Sequence, residues 1–227
     1  MNATTFRKLC LGSAAALILA GCASDPPKES GYLSNYSMLH KEDAPGGGSR
    51  LVYENPAFTP TTYDAVWLEK VEFYPAPEPT DKVSMQTLNE IGAYADSSLR
   101  QKIGQRMRLA DGPGPGVAHV RIAITAVGAQ TEALKAYQYI PIGLAITGAV
   151  ALVEGGRPEA ASVSIESKVT DSRTQQLLFA SVRSGDGTRI KSVDQGAKAV
   201  QPNDLKPLID KWTEGAANQL SKYIRPK

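Results

Sequence analysis

Hydrophobic positions along the 227-residue chain repeat with two periods, and each period predicts its own element. Between Val83 and Met107, the residues Met85, Leu88, Ile91, Ala95, Leu99, Ile103 and Met107 recur at spacings of three and four. That is the single apolar stripe of an amphipathic helix, with Ser84 or Asp81 to cap its start. A second stripe of Leu205, Leu208, Ile209, Trp212, Ala216, Leu220 and Tyr223 predicts a helix over 204–224, in which Pro207 is tolerated as a first-turn residue. Period-two alternation appears in VAHVRIAITAV (117–127), with Val120, Ile122, Ile124 and Ala126 on one face. It returns in SVSIESKV (162–169) and QLLFASVR (176–183), which flank TDSRTQ and predict a hairpin. YDAVWLEKVEFYP (63–75) predicts one strand, with Trp67, Glu69, Val71 and Phe73 on one side and Val66 and Leu68 on the other.

The order β-α-β, then hairpin, then α predicts an α+β fold: a single mixed β-sheet with helices packed on one face. Its first strand–helix–strand unit favours a parallel pair with a right-handed crossover.

Two stretches are apolar without periodicity. The first runs from Leu9 to Ala20 behind Arg7 and Lys8. Its twelve uncharged residues are too few to span a bilayer as a helix, which needs about 20, and the layout is that of a secretory signal. Leu19-Ala20-Gly21-Cys22 then resembles a bacterial lipobox. In such signals the cysteine thiol takes diacylglycerol, a peptidase cuts before it, and the freed amine is acylated. Three chains make a lasting membrane anchor where one is marginal. Ala23, rather than an aspartate, follows the cysteine, which favours the inner leaflet of the outer membrane.

The second stretch is AYQYIPIGLAITGAVALVEGGRP (136–158), uncharged from Ala136 to Val153. Pro141 suits a helix's first turn, and Gly155, Gly156 and Pro158 suit its end. As a helix it would carry a bulky ridge of Ile142, Ile146, Val150 and Val153. Beside the ridge runs a small-residue stripe of Gly143, Thr147 and Ala151, which would admit a close backbone. A helix apolar all round must be covered all round. Three readings stand: burial in the domain or against a second copy, contact with a membrane surface, or a membrane span. The 14-residue core from Ile140 is short for a span.

Polar, Pro- and Gly-rich segments divide the rest. SDPPKESG (24–31) and HKEDAPGGGSR (40–50) read as linker or loop. YLSNYSML between them is too apolar for a free tether and is expected to dock on the domain. The predicted organisation is a signal peptide over 1–21, a lipidated tether over 22–50 and a periplasmic α+β domain over 51–227.

Composition narrows the chemistry. Of two cysteines, Cys10 leaves with the signal and Cys22 becomes the anchor, so no thiol remains for a disulfide, a metal or a nucleophile. The chain has 25 Lys+Arg against 23 Asp+Glu, and loss of Arg7 and Lys8 makes the balance even. No basic run offers a footprint for nucleic acid. His40 and His119 stand alone, without metal-ligand spacing. Asp64, Glu69 and Glu72 read as an exposed polar row along one strand. No G-x-S-x-G occurs, and GPGPG has the wrong spacing for a dinucleotide site. No cofactor and no catalytic residue is expected.

LAGCAS, SGYLSNYSML, YDAVWLEKVEFYP, YQYIPIG and DLKPLIDKWTEGAA, in that order, resemble a proteobacterial lipoprotein family catalogued as domain of unknown function 3313. The resemblance covers nearly all of the mature chain. It implies a signal-anchored periplasmic domain and carries no catalytic residues. The resulting expectation is a non-enzymatic interaction or structural module of the cell envelope. The membrane, through Cys22, and a second copy or an envelope protein are its expected partners. Ile142, Gly143, Ile146, Thr147, Val150 and Ala151 are the candidate contact residues. The alternatives are a small-molecule or lipid-binding module with a pocket beside 137–153, and a hydrolase without a known motif.

Overall fold

The computed structural model describes residues 29–45, 47–131, 159–190 and 199–227. In chain order they form β1 (His40–Asp43), β2 (Ser49–Glu54), β3 (Ala65–Leu68), β4 (Glu72–Phe73), α1 (Met85–Arg106), β5 (Arg108–Leu109), β6 (Val117–Thr131), β7 (Glu159–Asp171), β8 (Leu177–Arg189) and α2 (Pro202–Leu220). The strands make one mixed sheet in the order β1-β2-β8-β7-β6-β3-β5, with β4 also paired to β6. Both helices lie on one face of it, as the element order implies.

The predicted hairpin is present as antiparallel β7 and β8, and β6 pairs antiparallel with β7 along its whole length, from Ala118↔Asp171 to Thr131↔Glu159. The predicted parallel pair is β3 with β6, Ala65↔Val117 to Leu68↔Val120. Long-range pairing of this kind is paid for by burial on both faces, and Val66, Ala118, Val120 and Ile124 are all buried.

The strand expected over 63–75 is interrupted. Leu68 pairs with Val120, but Glu72 pairs with Ala123, so the chain spends one more residue than its partner between these points. One extra residue reverses every later side chain. Trp67 and Glu69 therefore share a face with His119, whereas Val71 lines the space under the helices and Phe73 packs on Gly92 of α1. A Cβ at position 92 would come within 2.9 Å of the Phe73 ring. The Val71 N–H freed by the break donates to Asp96 Oδ1 of α1 at 3.0 Å.

α1 starts at Ser84, whose Oγ accepts from Thr87 N at 3.0 Å. Leu88, Ile91, Leu99 and Ile103 of the predicted stripe are buried, while Met85 at its head is exposed. α2 begins two residues before the predicted start. Pro202 stands in its first turn, and Gln201 and Asp204 form a reciprocal capping box. Pro207 consequently lies inside the helix rather than in its first turn, correcting the sequence expectation. The helix also ends at Leu220, and Tyr223 and Ile224 belong to the turn after it.

The linker reading of 40–50 is corrected too. His40–Asp43 is an edge strand, and Ser49 and Arg50 open β2. Upstream, Tyr32 and Leu33 are buried, so YLSNYSML docks as expected and joins the core. The boundary between tether and body therefore falls nearer residue 30 than residue 50.

Candidate functional site

Cys22, Ile142, Gly143, Ile146, Thr147, Val150 and Ala151 lie outside the described residues. The fold does fix where the second apolar stretch is attached. β6 ends at Thr131 and β7 starts at Glu159, and these two residues are pairing partners, so the stretch joins two neighbouring central strands at one end of their ladder. Among the described residues, no helix is long and apolar enough to cross a membrane.

The face of the sheet away from the helices is crossed by the N-terminal segment. Tyr36 donates its hydroxyl to Glu166 Oε2 at 2.6 Å, and Lys168 sits 4.5 Å from the Tyr32 ring centre. Glu166 is fully buried at 0% exposure. Burial holds its carboxyl above the ordinary glutamate value, against the hydrogen bonds of Tyr36, Ser30 and Leu33. Burial likewise lowers the Lys168 ammonium, with Arg121 adding to the effect.

Further along that face, His119 is buried rather than solvated. Its ring stacks on Trp67 at 3.9 Å and its Nε2 lies 2.7 Å from Glu69 Oε1. Arg121 bridges Glu69 at 3.2 Å and Glu72 at 3.4 Å, and Asp64 pairs with Arg108 at 2.7 Å. The expected polar row is thus a set of ion pairs, with Glu69 half-buried. Among the described residues, no three His, Cys, Asp or Glu side chains come together as a metal site.

A cleft on the helix face is absent from the sequence reading. It runs between α2 and the β8-β7-β6 part of the sheet, in three parts that share wall residues. An outer groove of about 650 Å³ is bordered by Glu42, Asp43, Arg50, Glu54 and Lys222. It shares Arg50, Gln219 and Tyr223 with an inner chamber of about 80 Å³, walled by Phe58, Phe179, Arg183 and Trp212. That chamber shares Ile122, Ile165, Trp212 and Ala216 with an apolar chamber of about 50 Å³ under α1, reaching Ile91 and Leu99.

Two arginines face the inner chamber. Arg50 is held by Glu42, whose Oε1 accepts from Nε at 2.7 Å, and lies 5.5 Å from the Phe179 ring centre. Arg183, 9% exposed, sits 4.6 Å from the Trp212 ring centre and donates to the carbonyls of Pro45 at 3.0 Å and Gly47 at 2.7 Å. Burial, and next the neighbouring Arg50, push its guanidinium down to about 10. Alternation puts Phe179, Ser181 and Arg183 on the same side of β8, so an arginine at an inward position is the one signal the sequence offered for this site.

A lipoprotein of Escherichia coli K12, named uncharacterized lipoprotein YdcL, is 30% identical over 213 residues, covering 92% of this chain and 94% of its own. Among solved structures, the hypothetical protein CT253 of Chlamydia trachomatis is similar with a TM-score of 0.43 at 9% identity, over 71% of this chain and 98% of that one. The PelC dodecamer of Paraburkholderia phytofirmans gives 0.36 at 12% identity, over 74% and 98%. The model of the family described as protein of unknown function DUF3313 matches residues 28–216, and the chain belongs to that family of bacterial lipoproteins.

Proposed function

We propose that the protein is a non-enzymatic interaction module of the cell envelope, fixed by lipid on Cys22 to the periplasmic face of the outer membrane. The observation that carries this reading is the shortness of the free tether. The body is engaged from Ser30 onward, through Ser30, Tyr32 and Tyr36 on the sheet. Only six residues separate Cys22 from Glu29, and the seven Cα–Cα steps between them reach at most about 25 Å. A body of this length has a radius of gyration of roughly 16 Å, so it stays against the membrane and meets partners there.

The groups that a reaction would draw on are engaged structurally: His119 with Trp67 and Glu69, Glu166 with Tyr36. Ile142, Gly143, Ile146, Thr147, Val150 and Ala151 are the proposed contact residues, on the stretch that leaves the sheet between Thr131 and Glu159. Mass spectrometry of the mature N-terminus and density fractionation of envelopes test the anchor. Acylated Cys22 in the outer-membrane fraction is expected, and Cys22→Ser should release the protein from membranes. An unprocessed wild-type N-terminus would end the reading. For the contact residues, Ala151→Lys should abolish self-association or capture by an envelope partner while the melt stays unchanged.

A further inference from the structure

We propose that the cleft under α2 binds a small amphiphile with a single negative charge. Its carboxylate head would lie between Arg50 and Arg183, and its hydrocarbon tail in the apolar chamber under α1. The charge count of the inner chamber is the first argument. Glu42 matches Arg50, but among the described residues no carboxylate lies within ion-pair distance of Arg183. The chamber is one negative charge short, which calls for a monoanion rather than a phosphate dianion. Asp43 and Glu54 at the outer groove also repel a second negative charge.

Donor capacity is the second argument. A guanidinium has five N–H groups, and the two carbonyls of the 44–48 turn take two of them. A buried cation supported by two carbonyls and one ring face, with no carboxylate, is costly, and an incoming carboxylate relieves that cost. The hydroxyls of Ser167 and Ser181, 2.8 Å apart, stand in the same wall and add polar contacts for the head.

Shape supplies the tail. The inner chamber shares the walls Ile122, Ile165, Trp212 and Ala216 with a space lined almost wholly by apolar side chains, so the two lie side by side under the helices. The two chambers, about 80 and about 50 Å³, together approach the ~150 Å³ of an apolar cavity that takes up benzene, so head and tail together hold on the order of six carbons. Its walls are all described residues, and it requires neither the lipid anchor nor a protein partner.

Calorimetry on the full mature chain, made without its signal and lipid, tests the proposal with hexanoate as the probe. One hexanoate per chain should bind at least tenfold more tightly than acetate, which lacks the tail, or hexylamine, which reverses the charge. Arg183→Met should lose at least tenfold in hexanoate affinity. Ala216→Leu, which puts carbons into the wall that both chambers share, should lose a similar factor while melting at or above the wild-type temperature. If Arg183→Met fails to fold, Ala216→Leu decides. Absence of saturable hexanoate binding, equal binding of acetate or hexylamine, or unchanged affinity in a folded variant would each overturn the site.

Discussion

Beneath α1 and α2, Ile91, Leu99 and Ile209 meet Ile122, Ile124 and Val163 with hardly a polar atom between them. Across the sheet, Tyr32 and Tyr36 lie over Glu166 and Lys168, and position is set by directed bonds. The first face gains by area, at about 25 cal/mol per Å² of apolar surface, and is indifferent to pH. The second gains little net from each hydrogen bond and loses much if one partner is removed. A cover of the first kind tolerates repacking. A cover of the second kind is specific, sensitive to single atoms, and coupled to protonation.

The largest test removes the second cover entirely. A chain beginning at Leu51 lacks Tyr32, Leu33 and β1, and exposes the sheet face they protect. Its stability should fall by on the order of 5 kcal/mol, comparable to that of a whole domain, and its thermal melt should lose cooperativity. A cooperative melt near the wild-type temperature would mean that the helix face alone sustains the fold. Next in size, Ile91→Ala under α1 should cost about 3 kcal/mol by chemical denaturation.

Tyr36→Phe deletes one oxygen and should cost about 1–2 kcal/mol, because the fully buried Glu166 carboxyl loses its donor. The pH dependence sharpens the contrast. Glu166 is raised in the folded state, so the native protein holds its proton longer than the unfolded chain does. Stability from this site is present below the unfolded glutamate value and declines as pH rises through the folded one. Asp186, also raised by burial, acts in the same direction. Asp171 and Asp210 are lowered by hydrogen bonds and lose their contribution only in stronger acid. As pH rises above the ordinary carboxylate range, wild-type melts should fall, and Glu166→Gln should flatten part of that slope. The smallest effect belongs to the helix end: Ser84→Ala should cost about 1 kcal/mol in the same melts.

The same contrast decides what could be read in advance. α1, β6, the β7–β8 hairpin and most of α2 announce themselves, because each buries one face at a fixed period. β1 does not: His40, Lys41, Glu42 and Asp43 pair by backbone at an edge and bury little, so no alternation marks them. The break after Leu68 was invisible because it depends on register with β6, a partner 52 residues away. Arg50 and Arg183 come from different strands and meet only when β2 pairs with β8. No spacing in the chain could have joined them.

Thr131 and Glu159 face each other across the β6–β7 ladder, so the chain leaves the sheet and re-enters it at one place. The entropy of closing such an excursion grows only with the logarithm of its length. Changing the number of residues between Thr131 and Glu159 consequently alters the closure cost of the β6–β7 pair only slightly. A two-residue Asn-Gly turn there would yield a body whose solubility and partners could be compared directly with those of the parent.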